Sequence, residues 1–192
     1  MNRIFIKSVL VFGLVAAVTW VQAAEVLNGG FEINFGARED GNMWGDLGEA
    51  WGEAYQVTAG KRDYVRKART GDRVLLINVP PATWNGAWQQ IPWEENAPFE
   101  LTGYYLIKGG DLPPSCSTFI KAEFYDGNDQ MLGMAEGERR REDTKGRWVK
   151  ESLKGTTPPG TSAVRFILIA GDNAGGEPLV DRIFWDDVDV SD

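Results

Sequence analysis

From Arg73 onward, apolar residues alternate with polar ones or cluster in short runs: Arg73 to Val79, Phe99 to Ile107, Phe119 to Tyr125, Ala163 to Ala170 and Ile183 to Val190. Runs of this length, rich in Val, Ile, Phe and Tyr, predict β-strands. Turn formers separate them, at Asp126-Gly-Asn128, Pro158-Pro-Gly160 and Asp172-Asn-Ala-Gly-Gly176, where Gly, Pro and Asn favour reversal of the chain. No long stretch keeps a helical period, so the pattern predicts an all-β sandwich. Residues 1–23 stand apart. Arg3 and Lys7 precede an apolar stretch, Val9 to Val18, and Val21-Gln-Ala23 ends it in small residues, which predicts a cleavable secretory leader. The stretch falls short of the ~20 residues that span a bilayer. Residues 24–192 are then expected to form a single module, without internal repeat or attached catalytic domain.

Ideal alternation along the last run places Phe184, Asp186, Val188 and Val190 on one face and Trp185 on the other. Asp186 then turns inward among apolar side chains, where a carboxylate is costly unless paired, hydrogen-bonded or metal-bound. Glu32, beside Phe31, is the candidate partner. Trp185 is expected to be partly exposed, and Trp148 of Gly146-Arg-Trp148 to join the core.

Composition narrows the chemistry. There is no histidine and one cysteine, Cys116, which removes most nucleophile–base pairs, zinc sites built on His or Cys, and any intramolecular disulfide. Removal of residues 1–23, which carry Arg3 and Lys7 and no acid, takes the formal charge from −8 to −10. That balance disfavours nucleic acid and anionic membrane surfaces, and favours a neutral or weakly charged ligand. The mixed-charge run Glu136 to Arg147 reads as a solvated hairpin loop or strand edge. The basic cluster Lys61, Arg62, Arg66, Lys67, Arg69 and Arg73 reads as a charged edge that resists aggregation, with contact to an acidic polysaccharide as the alternative.

The opening Asn28-Gly-Gly-Phe-Glu32 and the closing Asp186-Asp-Val188 together resemble the secreted carbohydrate-binding modules of families four, nine, sixteen and twenty-two. Thr70-Gly-Asp-Arg-Val-Leu-Leu-Ile77 resembles their second strand. Trp88-Gln-Gln-Ile91 with Phe99 to Lys108 resembles their central pair, and Gly146-Arg-Trp148 with Pro158 to Thr161 their late turn and strand. The resemblance covers residues 25–190 and rests on order and spacing, since no single motif is specific. It implies a jelly-roll β-sandwich, galactose-binding-domain-like, with a structural calcium ion. Glu32 and Asp186 would supply side chains, with carbonyls from the Gly29-Gly30 turn and from near Asp72. Asp187 takes the place of Asp186 if the register is shifted. Calcium suits a chain without histidine, since this hard cation takes only oxygen ligands.

The remaining signal is aromatic. Trp44, Trp51, Tyr55, Trp84, Trp88 and Trp93 lie in stretches rich in Gly, Asn, Pro and acids, where a core strand is hard to draw. A pyranose stacks its C–H face on such rings while its hydroxyls reach amides and carboxylates. Trp84 and Trp88, flanking Asn85-Gly86, are the leading candidates, Trp51 is a third, and Asn85, Gln89, Gln90 and Glu94 are polar neighbours. Each ring could equally serve as satellite core under a loop. The expectation is a secreted or periplasmic, monomeric, non-catalytic protein that binds a polysaccharide or oligosaccharide. It contacts no nucleic acid and, after cleavage, no membrane. The alternatives are a surface or matrix adhesion module and a jelly-roll lyase or hydrolase.

Overall fold

The computed structural model describes residues 26, 29–32, 45–46, 54–58, 66–171 and 177–192. The leader, Trp44, Trp51 and the basic pair Lys61-Arg62 lie outside the described residues. For 45–46 and 54–58 the backbone alone is described.

The described residues form strands and no helix: β1 (Gly45–Asp46), β2 (Ala54–Thr58), β3 (Arg73–Val79), β4 (Trp84–Pro92), β5 (Pro98–Ile107), β6 (Ser117–Tyr125), β7 (Met131–Glu136), β8 (Val149–Thr156), β9 (Ala163–Gly171) and β10 (Leu179–Ser191). They make two antiparallel five-stranded sheets, β1-β4-β9-β6-β7 and β2-β3-β10-β5-β8. Successive strands repeatedly change sheet, and only β2–β3 and β6–β7 pair as sequence neighbours within one. Trp88 to Ile91 and Phe99 to Lys108, matched above to a central pair, fall in opposite sheets as β4 and β5. The core fills the space between the sheets, with Ala87, Ile120, Phe166 and Leu168 from one side against Leu75, Leu101, Ile107 and Trp185 from the other.

The five strands expected from hydrophobic patterning are present as β3, β5, β6, β9 and β10. Patterning missed β4 because its inward set is Asn85, Ala87, Gln89 and Ile91, so neither face reads as purely apolar. It missed the edge strands β7 and β8 because they are largely exposed. The charged run after β7 is mostly exposed but is no hairpin, since it carries the chain from one sheet to the other.

β10 departs from ideal alternation. Its pairing with β5 runs Trp185 opposite Tyr105 and Asp186 opposite Tyr104, then resumes with Asp189 opposite Thr102, one residue out of step. The extra residue is a β-bulge, and Asp187 takes a positive φ of 48° within it. A one-residue slip exchanges faces. Phe184 and Asp186 therefore share the outer face, whereas Val188 and Val190 return to the core. The expectation that all four share one face is corrected on this ground. So is that for Trp185, which is fully buried between the sheets and donates its indole N–H to Thr118 Oγ1 at 3.0 Å. Trp93, grouped above with the loop aromatics, is also core, packed edge-on against Phe166. Trp148 is partly buried against Val74, Leu76, Leu106 and Phe184, a smaller cluster on the outside of the second sheet.

Trp185→Ala is expected to cost ~3–5 kcal/mol, the usual range for truncating a large core aromatic. Urea unfolding followed by far-UV circular dichroism measures it, and a loss below ~1 kcal/mol would contradict the placement of this ring.

Candidate functional site

The outer face of the β1-β4-β9-β6-β7 sheet carries an unusual set of side chains. Cross-strand rows run Gly86–Ile169–Phe119, Trp88–Ile167–Lys121–Glu136 and Gln90–Arg165–Glu123–Met134. Phe119, Ile167, Ile169 and Trp88 form an apolar floor separate from the main core. Trp84 begins β4 at the rim of this floor and remains 37% exposed. Its ring lies across Gly171, where a Cβ would strike it at 2.7 Å, and meets Phe119 edge-on at 5.7 Å.

Two guanidinium groups lie on these rings. Arg165 sits 4.4 Å from the centroid of Trp88 and 4.6 Å from that of Tyr125. Arg139 sits 5.3 Å from Trp84 and 4.7 Å from Phe119. Arg139 reaches this position because the chain beyond β7 stays alongside β6, through hydrogen bonds of Gly137 to Ile120 and of Arg140 to Thr118. Arg165 donates to Gln90 Oε1 from Nε at 3.3 Å and from a terminal nitrogen at 2.9 Å. Its nearest carboxylate oxygen, on Glu123, is 3.9 Å away. That carboxylate is bound more closely by Lys121 at 2.8 Å and by the Tyr125 hydroxyl at 2.7 Å. Burial works to raise the Glu123 carboxyl, but these two hydrogen bonds and the cations around it hold it below the usual range. Burial, then the bond to Glu123, pushes the Tyr125 phenol up to about 12.

The proposed sugar-binding residues divide by face. Trp84, Trp88 and Gln90 belong to the outward set of β4, whereas Asn85 and Gln89 belong to the inward set and are buried. The Asn85 amide donates to the Asn78 carbonyl at 2.8 Å. Gly86 was expected to admit a ligand, but it admits β9 instead: a Cβ there would lie 2.1 Å from the Leu168 carbonyl oxygen. Glu94 is exposed beyond β4 and accepts the Thr157 hydroxyl on its backbone carbonyl at 2.6 Å. Sequence reasoning missed Arg139, Arg165, Phe119 and Tyr125. The polar position Arg165 inside the apolar run of β9 was the one available signal.

A second cluster lies on the opposite sheet, where the two ends of the described chain meet. Val188 N–H donates to the Gly29 carbonyl at 3.0 Å. Asp186 is fully buried beneath the segment 66–72. Its Oδ2 accepts the amides of Arg69 at 2.7 Å and Thr70 at 3.3 Å, and its Oδ1 accepts that of Asp187 at 2.8 Å. Its partners are therefore backbone amides, and Glu32 does a separate task, accepting the amides of Asp72 at 3.0 Å and Arg73 at 2.8 Å. Asp187 binds the Arg69 guanidinium and the Thr70 hydroxyl. Arg69 itself stacks on Tyr104, 3.6 Å from the ring centroid. Burial, and then the adjacent Asp187 charge, pushes Asp186 up to about 7 against the three amide bonds. Gly30 lies beside Asp187, close enough that a Cβ on it would sit 3.7 Å from the Asp187 Oδ1. Among the described residues no three acidic side chains converge on one point. A cation here would combine the neighbouring Asp186 and Asp187, or Glu32, with backbone carbonyls, an all-oxygen mixture that fits calcium.

No family model matches the chain, and no curated protein sequence matches it significantly. Solved structures do. A family 22 carbohydrate-binding module of Xyn10C from Paenibacillus barcinonensis, described as a xylan-binding domain, superposes with a TM-score of 0.57 at 16% identity, covering 88% of this chain and 94% of that one. A family 16 carbohydrate-binding module gives 0.53 at 16% identity over 87% of this chain and 99% of the other. The enzymatically active domain of bacteriophage CBA120 tailspike protein 4 gives 0.52 at 12% identity, and there this chain spans only 19% of the partner's length. These likenesses, with two antiparallel sheets and no helix among the described residues, establish that the chain has the jelly-roll β-sandwich fold found in carbohydrate-binding modules.

Proposed function

We propose that this protein is a non-catalytic carbohydrate-binding module that takes a polysaccharide or oligosaccharide across the outer face of the β1-β4-β9-β6-β7 sheet. The supporting observation is the aromatic cluster on that outer face, the exposed Trp84 and half-buried Trp88 over a buried Phe119, bordered by Gln90, Arg139 and Arg165. Rings supply stacking surface for a pyranose, and amide and guanidinium groups supply donors for its hydroxyls. The solved neighbours add weight, since one is described as xylan-binding and another, a family 61 module, was solved with β-1,4-galactotriose. Residues 1–23 fit this reading as a leader that exports the protein. Amino-terminal sequencing of exported protein is expected to start at Ala24.

Trp84→Ala is the discriminating variant, because this ring is the more exposed one, whereas Trp88 packs against Phe119, Ile167 and Ile169. Affinity for a bound glycan is expected to fall about tenfold or more, the weight of one stacked ring, while melting shifts by less than about 4 °C. A glycan array with calorimetric follow-up measures the first and differential scanning calorimetry the second. Absence of binding across a broad panel would favour the adhesion alternative. Turnover abolished by changing one Asp, Glu or Tyr would make the protein an enzyme.

We also propose a structural calcium ion at the junction of Gly30, Glu32, Asp186 and Asp187. The support is two adjacent carboxylates, one of them buried, beside the turn that joins the two ends. A native-state ligand at a hundredfold excess over its Kd stabilises by about 2.7 kcal/mol. Chelator is therefore expected to lower melting by roughly 5–10 °C in a domain of this size. Unchanged melting in chelator, with no calcium in the purified protein, would leave Arg69 as the counter-charge at this junction and remove the ion.

A further inference from the structure

The guanidinium groups on the aromatic floor restrict which glycan fits. Arg165 lies between Trp88 and Tyr125, and Arg139 between Trp84 and Phe119, so two pairs of rings each hold a cation. Neither cation is held by a carboxylate through two parallel bonds. Arg165 spends two N–H groups on the neutral oxygen of Gln90, and its nearest carboxylate, 3.9 Å away, is already bound by Lys121. Arg139 makes one contact, at 3.2 Å, with Glu136. Across these rows Lys121, Arg139 and Arg165 face the carboxylates of Glu123 and Glu136. Asp129, at the edge of the face, is reached by Gln90 at 3.4 Å and contacts neither arginine.

We propose that the glycan taken here carries carboxylate groups, as in a uronic-acid-containing polysaccharide, with Arg165 and Arg139 determining that specificity. The inference rests on the sugar-binding reading of this face and deepens it. With its Nε edge held by Gln90, the ring-flanked Arg165 keeps its terminal edge, Nη1 and Nη2, in the plane, where it matches a carboxylate with two parallel bonds. The exposed Trp84 ring meanwhile stacks on the apolar face of a neighbouring sugar. A neutral hydroxyl offers Arg165 nothing beyond what Gln90 already supplies. The acidity of the whole chain does not oppose this. Charges are screened beyond about 8 Å at physiological ionic strength, and Glu100, Asp186, Asp187 and Asp189 belong to strands of the other sheet.

The test is calorimetric titration of the full exported chain with size-matched oligosaccharides: neutral xylohexaose, glucuronate-substituted xylohexaose, hexagalacturonate and a sulfated galactan. At low salt at least one uronate ligand is expected to bind about tenfold tighter than xylohexaose, the weight of one charge-assisted pair, with the advantage shrinking as salt rises. Arg165→Gln is expected to reduce the uronate-to-neutral affinity ratio by about tenfold, and Arg165→Lys to restore only part of it. Should Arg165→Gln melt early, Arg139→Gln takes its place, since Arg139 is the more exposed. Equal or tighter binding of xylohexaose would overturn the specificity and leave the sugar-binding function standing. Preference for sulfated galactan over both uronates would overturn it as well. Failure of every ligand, neutral ones included, would remove the sugar-binding function itself.

Discussion

The one-residue bulge between Asp186 and Asp189 of β10 controls much of this molecule. Side chains on a strand alternate with a period of two, so one inserted residue reverses every later assignment. Up to Trp185 the odd positions face the core, and beyond the bulge the even positions Val188 and Val190 do. Asp186 is thereby placed outside the sandwich, where amides of the 66–72 segment cover it and satisfy its oxygens. The same displacement presents Val188 N–H to Gly29, joining the start of the domain to its last strand. Without the bulge either the two valines would leave the core, or Trp185 would leave it and Asp186 would enter as a charge without partners.

The positive φ of Asp187 is the local cost of that arrangement, and its side chain offsets some of it by holding Arg69 and Thr70. Arg69 is in turn fixed by the face of Tyr104, which sits opposite Asp186 on β5. Backbone irregularity, ion pair and ring thus form one unit. Whatever stiffens this unit, such as the proposed calcium ion, would stabilise the Gly29–Glu32 segment and the last strand at once.

The opposite sheet shows a different division of labour. β4 places Ala87 and Ile91 in the core, uses the buried Asn85 amide for internal hydrogen bonds, and turns Trp84, Trp88 and Gln90 outward. β9 does likewise with Val164, Phe166 and Leu168 inward and Arg165 outward. A sheet whose inner face already fills the core can carry an aromatic, cationic outer face without losing its packing. The proposed binding surface would therefore sit on paired strands, where stacked guanidinium groups need little further ordering to engage a ligand.

The sequence by itself determined the all-β class, five strands close to their observed limits, and two turns, Asp126 to Asn128 and Pro158 to Gly160. Each follows from local periodicity or turn chemistry, which needs no knowledge of distant residues. It also marked Glu32, Asp186 and Asp187 as belonging to one region, and singled out Trp84 and Trp88 among many aromatics. Only the tertiary structure decided which way side chains point. Asn85 and Gln89 looked like partners of Trp84 and Trp88, but strand pairing turned them inward. Trp185 looked exposed, but a bulge visible only in the pairing of β10 with β5 buried it. Arg139 and Arg165 are 26 positions apart and reach one face, two rows from each other, because β6 lies between the segments that carry them. Facing and proximity across strands depend on register, and register is settled by pairing and packing between distant segments, not by the local pattern of any one of them.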